Sequence, residues 1–507
     1  MTKTSNFASR LLDPRCRAIS SRCLAIVSLI VVAAAPTCAL AQQYESLPYK
    51  RLSSSRRQIE GILKGTTPLQ GSEERFDAFF NEYIFAELAP ADPQKLSEIG
   101  MARADFRKRY LISRVLKNPA ATERLNSLAM ETMKAVIEGN FHPGVKYNAL
   151  LLIGDLDQQP GVDGSNGKPP VPLPEASNYL LTMLDAGNRP DDESVKDALL
   201  MSTLIGLTRH AKYGLTDEQK AVLTSKMLEI VNQQKPPAGR LPDVHVWYRT
   251  QAADVLGALG EAGSGNEVIS AVRSLFIEES ASNDQRCWAA LAISKLQFDP
   301  KTEEVASALV FELGDFAVLA FREEMDIGAE RMTEGSPLGG RRRAPVLRGG
   351  RDLDALHGAG GLGPGGREAA RGRPGAAGRP NPRGRDNERR PQPAPNIPVD
   401  TVFPRRELAF RIDCASEALK AVEPAATAPQ QDLAKEVRKQ ISVARKALED
   451  QYMEDHDMLK QMMKASQAME TALAAARVAD EAAAPDDAVD AADGGDEFTD
   501  PTEEAAS

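Results

Sequence analysis

The side chains with the widest chemical reach in this chain are five histidines: His142, His210, His245, His357 and His456. No two of them stand at metal-ligand spacing and no Cys-x-x-Cys is present, so no metal site is expected. His142 precedes Pro143, a pairing that suits the start of a helix. His245, near Trp247 and Tyr248, belongs either to a packed helix start or to the lining of a surface groove. The glycines of 358–366 follow no strand and carry no Lys-Ser/Thr, which excludes a phosphate loop. A Gly-x-Ser-x-Gly elbow is missing, and no nucleophile–base pair is recognisable along the chain. No catalytic, cofactor-binding or metal-ligating residue is assigned, no cofactor is expected, and the chain reads as a non-enzyme.

The arginines carry the other chemistry. Arg341, Arg342, Arg343, Arg371, Arg373, Arg383 and Arg385 lie in a Gly/Pro/Arg-rich segment and can bind phosphate or carboxylate polymers by charge. That segment lacks aromatic residues for base stacking, and nucleic acid is not the expected partner of an exported chain. Between 339 and 390 there are 13 Arg against 5 Asp or Glu, in a chain of formal net charge −10. After Arg477 no basic residue occurs, while 480–504 includes eleven acids. Such asymmetry suggests contacts with a partner or between the two segments; a solvated tether is the plainer alternative.

The compartment follows from the first 41 residues. Lys3, Arg10, Arg15, Arg17 and Arg22 precede an apolar run over 24–35, and Pro36-Thr37-Cys38-Ala39-Leu40-Ala41 ends in a small-x-small site. This predicts a signal peptide cleaved after Ala41 and an extracytoplasmic mature chain, periplasmic or secreted. Two alternatives stand beside it. Residues 23–41 can act as a membrane anchor, although the run is short of the roughly 20 residues needed to span a bilayer. Cys38 can be a lipidation site, although Ala35-Pro36-Thr37 is a poor lead-in. No later segment is apolar enough to span. Cys16, Cys23 and Cys38 leave with the leader, and Cys287 and Cys414 remain, too few for a disulfide framework.

Residues 42–71 read as an irregular lead-in. From Ser72 a 3.6-residue period sets in, with Phe76, Phe79, Phe80, Tyr83, Ile84 and Leu88 on one side of a helix that stops near Pro90. Asp92-Pro93 and Asn118-Pro119 start new helices. Further helices are predicted over 143–156, 174–187, 191–210, 216–233, 243–260, 265–280, 283–297 and 301–320, with longer connections at 158–174 and 233–242. No stretch alternates with a period of two, so the fold class is all-α. The composition predicts disorder over 335–398, since Gly, Pro and Arg bury too little apolar surface to offset ordering entropy. A helical C-terminal segment follows at 399–480, then a disordered acidic tail over 481–507. Leu433, Val437, Ile441, Ala444, Leu448 and Tyr452 make a stripe, extended by Leu459, Met462 and Met463, compatible with a coiled coil.

Internal repetition organises the middle of the chain. Arg249, Ala252-Ala253, Leu256 and Leu259 recur as Arg286, Ala289-Ala290, Ile293 and Leu296, with a shift of 37 residues. Earlier echoes are Val145-Lys146, Ala149 and Ile153-Gly154, then Val195-Lys196, Ala198 and Ile205-Gly206. This pattern resembles the HEAT and armadillo-like helical repeats, in particular the HEAT-like repeat of phycobilisome lyases. That family places an Asp or Asn six residues before a basic residue at the start of the second helix. Asn140 precedes Lys146 and Asp243 precedes Arg249 at that distance. Lys196 and Arg286 depart from the pattern: Pro190 and Ser280 occupy the sixth position before them. The resemblance implies a HEAT-like α-solenoid over 72–334. In it, Asn140 and Asp243 cap helices, while Lys146, Lys196, Arg249 and Arg286 bond across to the adjoining repeat as a ladder.

The expected function is an exported scaffold that binds another protein through the solenoid surface. The stripe at 430–479 is open to self-association, with Met458, Met462, Met463 and Met469 as an adaptable contact face. Two alternatives differ in class. One is an envelope protein binding a polyanion through the arginines; the other is an enzyme accessory or lyase-like activity, by analogy of fold alone.

Overall fold

The computed structural model describes residues 44–112, 114–162, 167–190, 193–333, 399–450, 453 and 455–483. The leader at 1–41, the Arg-rich segment and the acidic tail beyond 483 lie outside the described residues, as do Arg341, Arg342, Arg343, Arg371, Arg373, Arg383 and Arg385. The fold is all-α, as the periodicity predicts. Among the described residues, no helix is long and apolar enough to cross a membrane. Two compact units divide between Gly263 and Ser264, inside the 72–334 span.

The first unit begins with α1 (Arg56–Leu63) and a helix in three parts: α2 (Glu73–Ala78), a π turn (Phe79–Ile84) and α3 (Phe85–Leu88). The π turn follows from side-chain placement. In an uninterrupted α-helix Phe85 would point about 180° away from Phe76. One extra residue per turn swings Phe85 into the same cluster, where its ring lies 5.9 Å from Phe80 and 5.7 Å from Phe106. Phe106 and Tyr110 come from α4 (Ile99–Tyr110). Asp92-Pro93 opens a 3₁₀ turn over Pro93–Glu98 just before it, and the Asp92 carboxylate accepts from the Gln94 amide.

Three helical hairpins follow. α5 (Pro119–Glu138) pairs with α6 (Pro143–Gly154), α7 (Pro174–Thr182) with α8 (Glu193–Tyr213), and α9 (Asp217–Asn232) with α10 (Pro242–Leu259). The second helices lie in a row, α6 against α8 and α8 against α10. The connection after α6 holds a small antiparallel pair, β1 (Asp157–Gln159) with β2 (Val171–Pro172), a ladder that the sequence did not signal. α10 ends at Gly260, whose φ of 75° supplies the left-handed turn that stops a helix.

Glycine fixes how closely the row packs. A Cβ on Gly154 would stand 2.9 Å from the Gly206 Cα, so α6 and α8 touch backbone to backbone. These are the last residues of the two echoes Ile153-Gly154 and Ile205-Gly206. The repetition therefore marks a crossing point.

The second unit contains α11 (Glu267–Ile277) and α12 (Asn283–Ile293), then α13 (Glu303–Thr333), α14 (Val399–Val422), α15 (Ala428–Glu449) and α16 (Asp455–Ala483). α13 packs against α14, α15 and α16, α14 against α12 and α15, and α15 against α16. The helices at 399–480 are thus built into one unit with α12 and α13. The stripe read as open to self-association is buried inside this bundle: Leu433, Val437 and Ile441 on α15, and Met458, Met462 and Met469 on α16. Met463 alone of that methionine face is exposed, at 47%. Three close-packed neighbours absorb a stripe that, seen alone, has no partner. Cys287 and Cys414 are both buried and free, and a hydrogen bond to Cys287, together with burial, pushes the Cys414 thiol up.

A side chain at the glycine crossing must push two backbones apart. Gly154→Ala should destabilise the chain by about 1–3 kcal/mol. Thermal unfolding followed by circular dichroism measures this; an unchanged Tm would show that the crossing is slack.

Candidate functional site

Carbonyls at the ends of the packed helices organise the polar interior of the first unit. The Gly154 carbonyl ends α6, and two consecutive residues of α8 converge on it. Arg209 Nη1 donates to it at 3.2 Å, and His210 Nε2 lies 3.1 Å away. A carbonyl only accepts, so Nε2 carries the proton and Nδ1 accepts from the Ser177 hydroxyl at 2.8 Å. Arg209 also holds both oxygens of Asp157 at 2.5 Å, and the Asp157 carbonyl accepts from Asn126 at 2.8 Å. Burial, with the Arg209 charge beside it, pushes His210 down to about 3.

A serine hydroxyl on a histidine is the arrangement of a nucleophile and its base, and no sequence motif announced it. The surroundings assign it otherwise. Ser177 is 1% exposed and His210 0%, so no substrate reaches either atom. The second ring nitrogen meets a carbonyl and not a carboxylate that could stabilise an imidazolium. The group is a neutral cross-link between α6, α7 and α8.

The residues assigned to a ladder make the following contacts. Arg249 Nε donates to the Val231 carbonyl at 2.9 Å, and Arg286 Nη2 donates to the Glu278 carbonyl at 3.3 Å. Both of these contacts reach the C-terminal end of the first helix in their own hairpin, where the arginine acts as a cap. Lys146 is buried, and the Lys196 carbonyl accepts from Arg189 at 3.1 Å. Asn140 offers its carbonyl to the Glu45 amide at 2.8 Å, and Asp243 is an exposed acid in the first turn of α10. The caps come from elsewhere: His142 accepts from the Gly144 amide at 3.1 Å, and Ser282 from that of Gln285 at 3.2 Å. His245 is 1% exposed and bonds the Gln233 carbonyl, so it belongs to a packed helix start and lines no groove.

Contacts between neighbouring hairpins also involve residues that the repeat did not mark. Arg240 binds Asp197 at 2.9 Å and lies 4.5 Å over the Tyr248 ring, while the Tyr248 hydroxyl donates to the Asp197 carbonyl at 2.7 Å. Arg103 meets Asp155 at 3.4 Å. Their signal was faint, because each pair joins residues 43–52 apart in sequence.

Among the described residues, two of the concavities that open to solvent stand out. In the second unit a groove of about 580 Å³ runs between α11, α12, α13 and α16. Phe276, Phe316 and Leu473 form its floor, and Ile277 and Leu319 stand on its walls at 46% and 37% exposure. Charges around it are largely paired: Arg322 with Glu470 at 3.0 Å, Arg273 with Glu312 at 2.5 Å, and Arg477 with Asp315. The Arg286 Nε, in contrast, is buried without an acceptor. In the first unit a pocket of about 550 Å³ is lined by α1, the end of the π turn, α3 and α4. No cluster of three or more His, Cys, Asp or Glu suited to a metal ion occurs among the described residues. Comparison with protein-family models, with curated proteins and with solved structures found no match.

The buried His210 sets an acid limit on stability. Its folded pKa lies below the unfolded value of 6.5, so its contribution is complete above that value and is lost as pH falls below it. Between pH 7 and pH 5 the loss should be about 2 kcal/mol. Urea unfolding across that range measures it, and His210→Gln should flatten the slope; an equal slope in the variant would assign the acid sensitivity to other groups.

Proposed function

We propose that this chain is an exported scaffold, and that the groove of its second unit binds an amphipathic helix of another protein. The open groove with an apolar floor and an unsatisfied arginine donor carries this reading. A groove with two exposed aliphatic side chains over buried aromatic ones suits apolar residues spaced three and four apart along a helix. The neighbouring Arg–acid pairs satisfy each other and leave the apolar surface to supply affinity. The Arg286 donor asks for an acceptor, so the partner helix carries an acidic residue beside its apolar stripe.

In this proposal the hairpins are HEAT-like repeats stacked as an α-solenoid. The row of α6, α8 and α10, each with its own first helix, supports that, as do the capping arginines 249 and 286 at equivalent places. Each hairpin leaves one apolar face that a neighbour covers, which is how such repeats build a continuous core. The basic and apolar leader ending at Ala41 supports export.

Displayed helical peptides selected on the full chain provide the test. Peptides with apolar residues at i and i+4 and a flanking acid should be enriched. Their affinity should fall about tenfold or more on Leu319→Glu, an exposed change that leaves the core intact. Failure to enrich any peptide over the Leu319→Glu chain would refute the groove. Affinity that collapses with salt while ignoring Leu319→Glu would instead favour the polyanion reading.

A further inference from the structure

We infer that Cys287 and Cys414 are a site of oxidative modification, joined as a disulfide by thiol exchange while the second unit folds. Cys287 lies within α12 and Cys414 within α14, two helices that pack against each other. The bond ties together helices that α13 and residues 335–398 separate in sequence.

The register of the two helices brings the sulfurs to one seam. One oxygen of Glu323, on α13, accepts from the Asn283 side-chain amide and from Arg411 Nη1, the latter at 3.2 Å. Asn283 stands four residues before Cys287, and Arg411 three before Cys414. One helical turn beyond that shared acceptor, each helix therefore carries a cysteine on the same side. The two thiols are in hydrogen-bond contact. Trp288 and Phe410 flank them, with ring centroids 6.1 Å apart. Small buried residues accompany the pair, Ala290 on α12 and Ala415 and Ala418 on α14, and such residues let helices approach closely.

The surroundings favour a bond between the sulfurs over a shared metal ion. Asp413, next to Cys414, is held by Arg445 at 3.1 Å. No third ligand completes a group with the two cysteines among the described residues. A single buried cysteine is ordinary packing, whereas two in contact on facing helices meet the first requirement of a disulfide.

The oxidant is itself a disulfide, carried by a thiol oxidoreductase or by a small molecule. One cysteine thiolate attacks a sulfur of the oxidant and expels its first thiolate, which leaves a mixed disulfide. The other cysteine thiolate attacks the protein's sulfur in that bond and expels the second. The cysteines lose two electrons to the oxidant's S–S bond, and their two protons end on the released thiols.

Burial sets when this happens. Cys287 is 0% exposed and Cys414 1%, so no oxidant reaches them once the seam has closed. The contact with Cys287, together with burial, also pushes the Cys414 thiol up and makes its thiolate scarce. Exchange therefore belongs to folding, and the finished bond is shielded from reductants. An oxidising compartment is supplied by the export proposed above, whereas the pairing itself does not depend on that reading.

Refolding of the reduced full chain with oxidised and reduced glutathione, quenched by alkylation, tests the pairing. Tryptic digestion without reduction should release peptide 287–295 joined to peptide 412–420. The oxidised chain should melt about 5 °C or more above the reduced one, and Cys414→Ala should abolish the difference. Alkylation of both thiols, a link between two chains, or no rise in Tm on oxidation would each overturn the site. A chain that forms the bond in glutathione but leaves its cells with both thiols reduced would support the site and count against export.

Discussion

Helix ends placed inside the protein must find partners for their last carbonyls, and the first unit is arranged around that requirement. α6 ends against α8, where water cannot reach Gly154, and the carbonyl there takes two side-chain contacts from Arg209 and His210. The same need is met at the end of α9 by Arg249 and at the end of α11 by Arg286. Once these positions are fixed, much of the polar interior follows. Asp157 neutralises Arg209, and Ser177 completes His210. The close glycine contact of α6 with α8 brings the donors within reach.

That requirement also separates structural chemistry from available chemistry. A Ser–His pair is here a sealed link, because its acceptor is a carbonyl and both residues are buried. The polar groups with functional potential are those whose bonding is incomplete and whose surroundings open outward. Arg286 in the second unit, beside an open groove, meets that description. That place relies on neither histidine nor cysteine, the residues that first draw attention in the sequence.

Much of the architecture was legible. The apolar period marked the helices, Asn118 and Asp92 marked two starts, and the recurring alanines marked helices that approach closely. Phe76, Phe79, Phe80, Tyr83, Ile84 and Leu88 are all buried, as their spacing required. The π turn was not legible, since a stripe shows which residues are apolar but not how the helix unwinds to seat one more of them. The repeat located Arg249 and Arg286, and the structure adds that each donates to a carbonyl at the end of the first helix in its own hairpin.

Composition and period by themselves determined an all-α chain, its helix starts and the positions that must be buried, because these depend on local backbone preference and on apolar surface. Tertiary structure alone decided where each buried face goes. The methionine stripe of α16 is covered by the chain's own helices, and Arg240 finds Asp197 across 43 residues. It also decided that the Arg286 Nε stays unpaired beside the open groove. Such outcomes depend on the distance between groups far apart in sequence, and no periodicity along the chain encodes that distance.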